Sequence, residues 1–220
     1  MYPKEQGKEH DERIAGKHSE DRALIMKLLW TERKNKRRKQ MKKVLIISTS
    51  PRKNSNSEAL AASFAKGAKE AGNEVEEFML SSMKINGCIG CWKGGKNIEH
   101  PCTQKDDMDE IYPKYVDADI VVLASPLYYW NISGFLKNAF DRLFAVAECD
   151  NYKNPVKDSI LIMAAEGSGF EESELWYDNL EKHMGWKSIG KILCGHVTQP
   201  GDSEGKPELK EAYELGKSIN

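Results

Sequence analysis

The stretch Val44-Leu45-Ile46-Ile47-Ser48-Thr49-Ser50-Pro51-Arg52-Lys53-Asn54-Ser55-Asn56-Ser57 decides how this chain is read. Its first residues form a short apolar run, rich in β-branched side chains and too short for a buried helix, which predicts a strand covered on both faces. The rest packs hydroxyls, amides and two cations between that strand and an Ala-rich segment with Leu60, Phe64 and Ala68 at helical spacing. A helix start leaves backbone N–H groups without intrahelical acceptors, and the helix dipole favours negative charge there. Capping alone needs one hydroxyl or amide, and this loop supplies several. It suits an oxyanion, with hydroxyl donors and the guanidinium fork of Arg52 completing a phosphate cradle.

Outward from this unit the pattern repeats. Apolar runs at Val75–Leu80, Ile120–Ala124, Ile160–Ala164 and Ile189–Leu193 predict four more strands. Between them, Phe135, Ala139 and Leu143 mark one covering helix, and Leu175 and Leu180 another. Gly72-Asn73 is expected to end the first helix, and a last helix should begin after Pro207 and close near Gly216 and Asn220. Alternating strands and helices with right-handed crossovers give an α/β doubly wound parallel sheet with helices on both faces. Ligands of such sheets collect at the carboxyl ends of the strands. The site is therefore expected in three loops: Ser48 to Ser57, Ser125 to Asn131, and Glu166 to Gly169.

The second of these, Ser125-Pro126-Leu127-Tyr128-Tyr129-Trp130-Asn131, displays three aromatic rings beside a strand end. Aromatic faces stack on a flat conjugated ligand and exclude water. The first loop has no G-x-G-x-x-G run, which disfavours a Rossmann-type dinucleotide site. Gly90 to Lys96 spells G-x-x-x-x-G-K, but Asn97 stands in place of the metal-binding Ser or Thr, and the P-loop reading is rejected.

The 220 residues and 24.9 kDa suit one α/β domain with an appendage. Hydrophobic residues make up 40% and charged residues 30%, and no 18-residue apolar run is present, so a soluble protein without a membrane span is expected. Five cysteines, an odd number, make a poor disulfide scaffold and point to a reducing cytoplasm. The net charge of −1 hides an asymmetry, because residues 1–40 carry 12 Lys+Arg against 7 Asp+Glu. The chain thus divides into a basic helical extension, 1–40, and a mildly acidic body, 41–220, that does not suggest a nucleic-acid surface. In the extension, Ser19-Glu20-Asp21 before Ala23, Leu24, Met26, Leu28 and Leu29 predicts a capped helix with one apolar side.

Two motifs, S-P-R-K-N-S-N-S from Ser50 and S-P-L-Y-Y-W-N-I-S-G-F-L-K-N-A-F-D-R from Ser125, resemble the flavodoxin-like NAD(P)H-dependent FMN reductases, a family that includes iron-sulfur flavoproteins and quinone reductases. The resemblance covers about residues 42 to 200. It implies a flavodoxin-like five-stranded sheet of order 2-1-3-4-5. It implies that Ser50, Arg52, Ser55, Asn56 and Ser57 hold the FMN phosphate. Pro126, Leu127, Tyr128, Tyr129 and Trp130 would frame the isoalloxazine ring, and Glu166 and Gly167 would touch the flavin or its ribityl chain. No catalytic side chain is expected, because the flavin carries the reactive atom.

The function implied is hydride transfer from NADPH or NADH to FMN, then to a quinone, free flavin or similar small acceptor, by a homodimer or homotetramer. The alternative is a flavodoxin-like or iron-sulfur-flavoprotein-like electron carrier acting on protein partners. Cys88-Ile89-Gly90-Cys91 with Cys102 resembles the iron-sulfur branch, but Gly94 stands where that branch's compact run places its third cysteine. A cysteine-ligated cluster needs four thiolates, so no metal is expected. Cys88, Cys91, His100 and Cys102 would be the donors of a zinc alternative, whose spacing is unfamiliar for a finger. His183 and His196 read as structural or exposed.

Overall fold

The computed structural model describes residues 41–220. The basic extension and its expected helix lie outside the described residues. β1 (Lys43–Ser48), β2 (Glu74–Met79), β3 (Ile120–Pro126), β4 (Asp158–Ala164) and β5 (Lys187–Cys194) form one parallel sheet in the order β2-β1-β3-β4-β5, the flavodoxin-like order. Successive side chains of a strand point to opposite faces, and here both faces are covered. Leu45, Ile47, Val121, Leu123, Leu161 and Met163 enter one apolar layer. Val44, Ile46, Ile120, Val122, Ile160 and Ile162 enter the other. That two-sided burial is why the central strands read as unbroken apolar runs. The edge strands differ: β2 carries Glu74, Glu76 and Glu77, and β5 carries Lys187 and Lys191, charges that discourage pairing with another sheet.

Helix α1 (Asn56–Glu70) starts at Ser55, whose Oγ accepts from the Glu58 amide, and α6 (Pro207–Lys217) lies beside it on the second layer. A β-carbon on Gly67 would strike the Tyr213 carbonyl, and one on Gly216 would strike the Phe64 carbonyl, so the two helices meet backbone to backbone. The first layer is covered by α2 (Met108–Asp117), α3 (Gly134–Arg142), α4 (Phe144–Cys149) and α5 (Glu171–Met184). The single covering helix expected around Phe135, Ala139 and Leu143 is two helices, broken at Leu143. Helix α2 is an addition to the sequence reading. Its Met108, Ile111, Tyr112 and Tyr115 are all buried at three- and four-residue spacing, a signal masked by Pro113 inside it. Among the described residues no helix is long and apolar enough to cross a membrane.

Candidate functional site

At the carboxyl ends of β1, β3 and β4 the chain leaves a cleft of about 200 Å³. One wall is the loop after β1. Thr49 Oγ1 donates to the Ala124 carbonyl at 3.0 Å, tying this loop to β3, and Ser81 Oγ donates to the Ser50 carbonyl at 2.8 Å. Ser50, Ser55 and Ser57 are buried yet line the cleft. The first helical amides, at Asn56 and Ser57, have no acceptor inside α1, as at any helix start. Positive potential from the helix end thus meets hydroxyl oxygens at the same wall, with the cation of Arg52 at its rim.

The opposite wall is Pro126, Leu127 and Tyr128. Leu127 N donates to the Ala164 carbonyl at 2.9 Å, which fixes the loop to the end of β4. Tyr128 and Asn131 exchange backbone hydrogen bonds of 2.9 and 3.1 Å around a two-residue turn. Both central residues, Tyr129 at φ 48° and Trp130 at φ 59°, are left-handed, a conformation bulky side chains seldom adopt. Below the turn, Ser125 Oγ accepts from the Ser133 amide at 2.9 Å, and Ser133 Oγ accepts from the Leu136 amide to cap α3. Ser125 and Ser133 are fully buried, so the serines flanking the aromatic run are brackets for the turn.

Of the twelve residues assigned to the site from sequence, Ser50, Arg52, Ser55, Asn56 and Ser57 on one wall and Pro126, Leu127, Tyr128 and Glu166 around them line this one cleft. Tyr129, Trp130 and Gly167 do not line it. Tyr129 points to solvent, 94% exposed, and Trp130 lies over Gly169 at the start of α5. The Asn56 side chain is occupied elsewhere, since its Nδ2 donates to the Gln199 carbonyl and its Oδ1 accepts from the Ser203 amide, both at 3.0 Å.

Those contacts reveal a fourth loop that the sequence reading did not include. Val197, Thr198 and Pro200, after β5, line the cleft, and Arg52 Nη1 donates to the Thr198 carbonyl at 2.7 Å. Asp202 closes this loop by accepting from the Thr198 and Gln199 amides, which hold its carboxyl below the usual range. The turn-forming run Gly195 to Gly201 directly after a predicted strand was the available signal.

Beside α4 lies a second, larger cavity of about 680 Å³, walled by apolar side chains including Phe140, Phe144 and Met184. Cys88, Cys91 and Cys102 open on it. The Thr103 hydroxyl, then the Lys93 amide, lowers the Cys91 thiol, whereas burial raises those of Cys149 and Cys194. His100 pairs with Asp109 at 3.4 Å and does not line the cavity, so the four donors of the zinc alternative are not brought together. Among the described residues no three His, Cys, Asp or Glu side chains gather as a metal site.

Residues 42–192 match the family described as NADPH-dependent FMN reductase. An iron-sulfur flavoprotein of Archaeoglobus fulgidus is 35% identical over 179 residues, covering 81% of this chain and 79% of that protein. One of Methanocaldococcus jannaschii is 29% identical, over 80% of this chain and 95% of its own. Among solved structures, an NAD(P)H:quinone oxidoreductase from Methanothermobacter marburgensis superposes with a TM-score of 0.62 at 18% identity, covering 82% of this chain and 97% of that one. That likeness is one of fold.

Proposed function

This chain belongs to the NADPH-dependent FMN reductase family, and from that premise we propose that it holds FMN in the cleft between the β1 and β3 loops and reduces a small acceptor such as a quinone or free flavin. The observation that carries this reading is the meeting of two unlike walls in one cleft: a helix start lined with serines and an arginine, and an apolar and aromatic wall. The first suits a phosphate and the second a flat ring, and FMN joins the two. The redox chemistry would be that of bound FMN, two-electron transfer from NADPH or NADH to a small acceptor.

The protein's part is position and exclusion of water. Ser50, Ser55 and Ser57, with the first amides of α1, would hold the phosphate oxygens, and Arg52 would neutralise them. Asn56 would act indirectly, fixing the loop after β5 against the helix start. Pro126, Leu127 and Tyr128 would set the plane of the ring, and Glu166 would stand beside the ribityl chain. Nicotinamide and acceptor would use the open face in turn, so one face serves both half-reactions. A second copy of this chain is the partner we propose for the exposed Tyr129 and Trp130, giving a homodimer or homotetramer.

The test is the visible spectrum of FMN-loaded protein under anaerobic conditions, before and after NADPH and then NADH. Bleaching by either nucleotide, with colour restored by a quinone, is the expected result. Colour that persists with both nucleotides and yields to a chemical reductant would overturn the reductase reading in favour of an electron carrier. Protein that takes up no FMN would overturn the cofactor assignment.

A further inference from the structure

The relatives named above are iron-sulfur flavoproteins, and this chain keeps three of the cysteines such a group would need. A cluster held by cysteines takes four thiolates facing one point. Cys88, Cys91 and Cys102 open on one cavity. Cys194 is buried in β5, in the layer on the other face of the sheet, and the Cys149 thiol, on α4, donates to the Ala145 carbonyl at 3.5 Å. The x2 spacing from Cys88 to Cys91, continued once, reaches Gly94.

The ground at Gly94 is already filled. A β-carbon built there would overlap Oε2 of Glu148 and come within 2.9 Å of the Pro101 carbonyl oxygen and 3.2 Å of the Ala145 β-carbon. At Gly95, where φ is +75°, a β-carbon would come within 2.7 Å of the backbone carbon and the β-carbon of Glu148. The end of α4 is therefore packed onto a pair of glycines, with a carboxylate oxygen where a side chain at position 94 would begin. The Cys102 sulfur accepts a hydrogen bond from Nε of the buried Arg142 at 3.2 Å.

We infer that the loop from Cys88 to Cys102 does not assemble an iron-sulfur cluster, because position 94 supplies no thiolate, the Pro101 carbonyl and the Ala145 side chain crowd the space beside it, and neither Cys149 nor Cys194 lines the cavity. The residues present do not fit the group named for the relatives. This inference stands apart from the flavin reading, since it concerns another cavity and a different set of side chains.

The experiment uses the full-length protein, treated anaerobically with ferrous iron, sulfide and a thiol reductant, then desalted and analysed for iron and acid-labile sulfide per chain. Alkylation of Cys88, Cys91 and Cys102 is followed by peptide mass spectrometry on the same sample. Iron and sulfide at background, and equal alkylation with and without the treatment, are expected. Stoichiometric iron and sulfide with all three thiols protected would overturn the inference, whatever the flavin does.

One variant tests the crowding at position 94. Gly94→Cys should stay at background iron while binding FMN as the parent does, because the Pro101 carbonyl and the Ala145 side chain crowd a side chain placed there. Stoichiometric iron and sulfide in that variant would remove the packing at Gly94 from the account. The unaltered protein decides the inference even if the variant fails to fold.

Discussion

The two cavities of this protein differ in what holds their walls. The cleft is made by loops tied directly to strand ends: Thr49 to Ala124, Leu127 to Ala164, and the Ser133 amide to the Ser125 hydroxyl. The cysteine cavity has one wall without regular structure, residues 83 to 107, and several of that wall's hydrogen bonds end on a single side chain. Arg142 at the end of α3 donates to Asp106 from both terminal nitrogens, at 2.7 and 3.1 Å, to the Asn86 carbonyl at 3.0 Å, and to the Cys102 sulfur. A site anchored on a sheet keeps its geometry through many contacts. A loop whose hydrogen bonds gather on one guanidinium depends on that group, and losing it should be costly.

The largest expected effect therefore lies outside the proposed flavin site. The Arg142 side chain is fully buried and that of Asp106 is 4% exposed, so Arg142→Met strands a carboxylate away from water. Breaking a buried ion pair from one side costs about 3–5 kcal/mol, and urea unfolding should read a loss of that order. An equal loss from Asp106→Asn would point to the pair itself, while a loss under 1 kcal/mol, small on the scale of about 1 kcal/mol for an ordinary substitution, would mean that the loop has other anchors.

Acid should release the same anchor. Burial by itself would raise the Asp106 carboxyl, but the Arg142 guanidinium and the Asn86 amide outweigh it and hold the group below its ordinary value of 3.8. The unfolded chain then binds that proton more readily than the folded one, so the contribution is complete above the ordinary value and is lost as pH falls through the lower folded one. Unfolding midpoints should fall with pH in that acid window in the parent, and less steeply in Asp106→Asn. Parallel slopes would assign the acid sensitivity to other carboxylates.

On the cleft side the effect should appear in binding and not in folding. Arg52 is exposed, donates to the Thr198 carbonyl, and is the one cation lining the cleft among the described residues. Arg52→Ala should weaken FMN binding by about 1–3 kcal/mol, the range for losing a charge-assisted contact, with an unfolding midpoint close to the parent's. An unchanged FMN dissociation constant would remove Arg52 from the phosphate site.

The same contrast explains what was legible in the sequence. The strands were, because burial on both faces leaves a periodic apolar signature that needs no partner to be seen. The loops after β1 and β3 were, because serines, Arg52 and clustered aromatics are unusual beside a strand end. The loop after β5 was not, since Val197, Thr198 and Pro200 are ordinary residues that reach the cleft only through the fold and through the Asn56 contacts that hold the loop. Helix α2 was hidden by Pro113, and the crowding of the cysteine loop at Gly94 depends on a break at Leu143 that no spacing announced. Gly94 was visible as a missing cysteine. That its space is filled was not.

The smallest expected effect tests whether the aromatic turn is shaped for the fold or for a ligand. A two-residue hairpin turn with left-handed residues at both central positions is the place for Asn-Gly, and here Tyr129 and Trp130 occupy it. Tyr129 makes its ring contact with Trp130 at 6.4 Å between centroids and is otherwise turned to solvent, so packing in one subunit does not explain it. Tyr129→Gly removes the steric penalty of the left-handed backbone while adding flexibility to the unfolded chain, and the balance should stabilise the protein by about 0.5–1 kcal/mol. If the turn is shaped for function, the same variant should lose turnover or subunit association as it gains stability. Gained stability with both unchanged would leave the strain without a purpose, and lost stability would place the Tyr129 ring among the contacts that hold the turn.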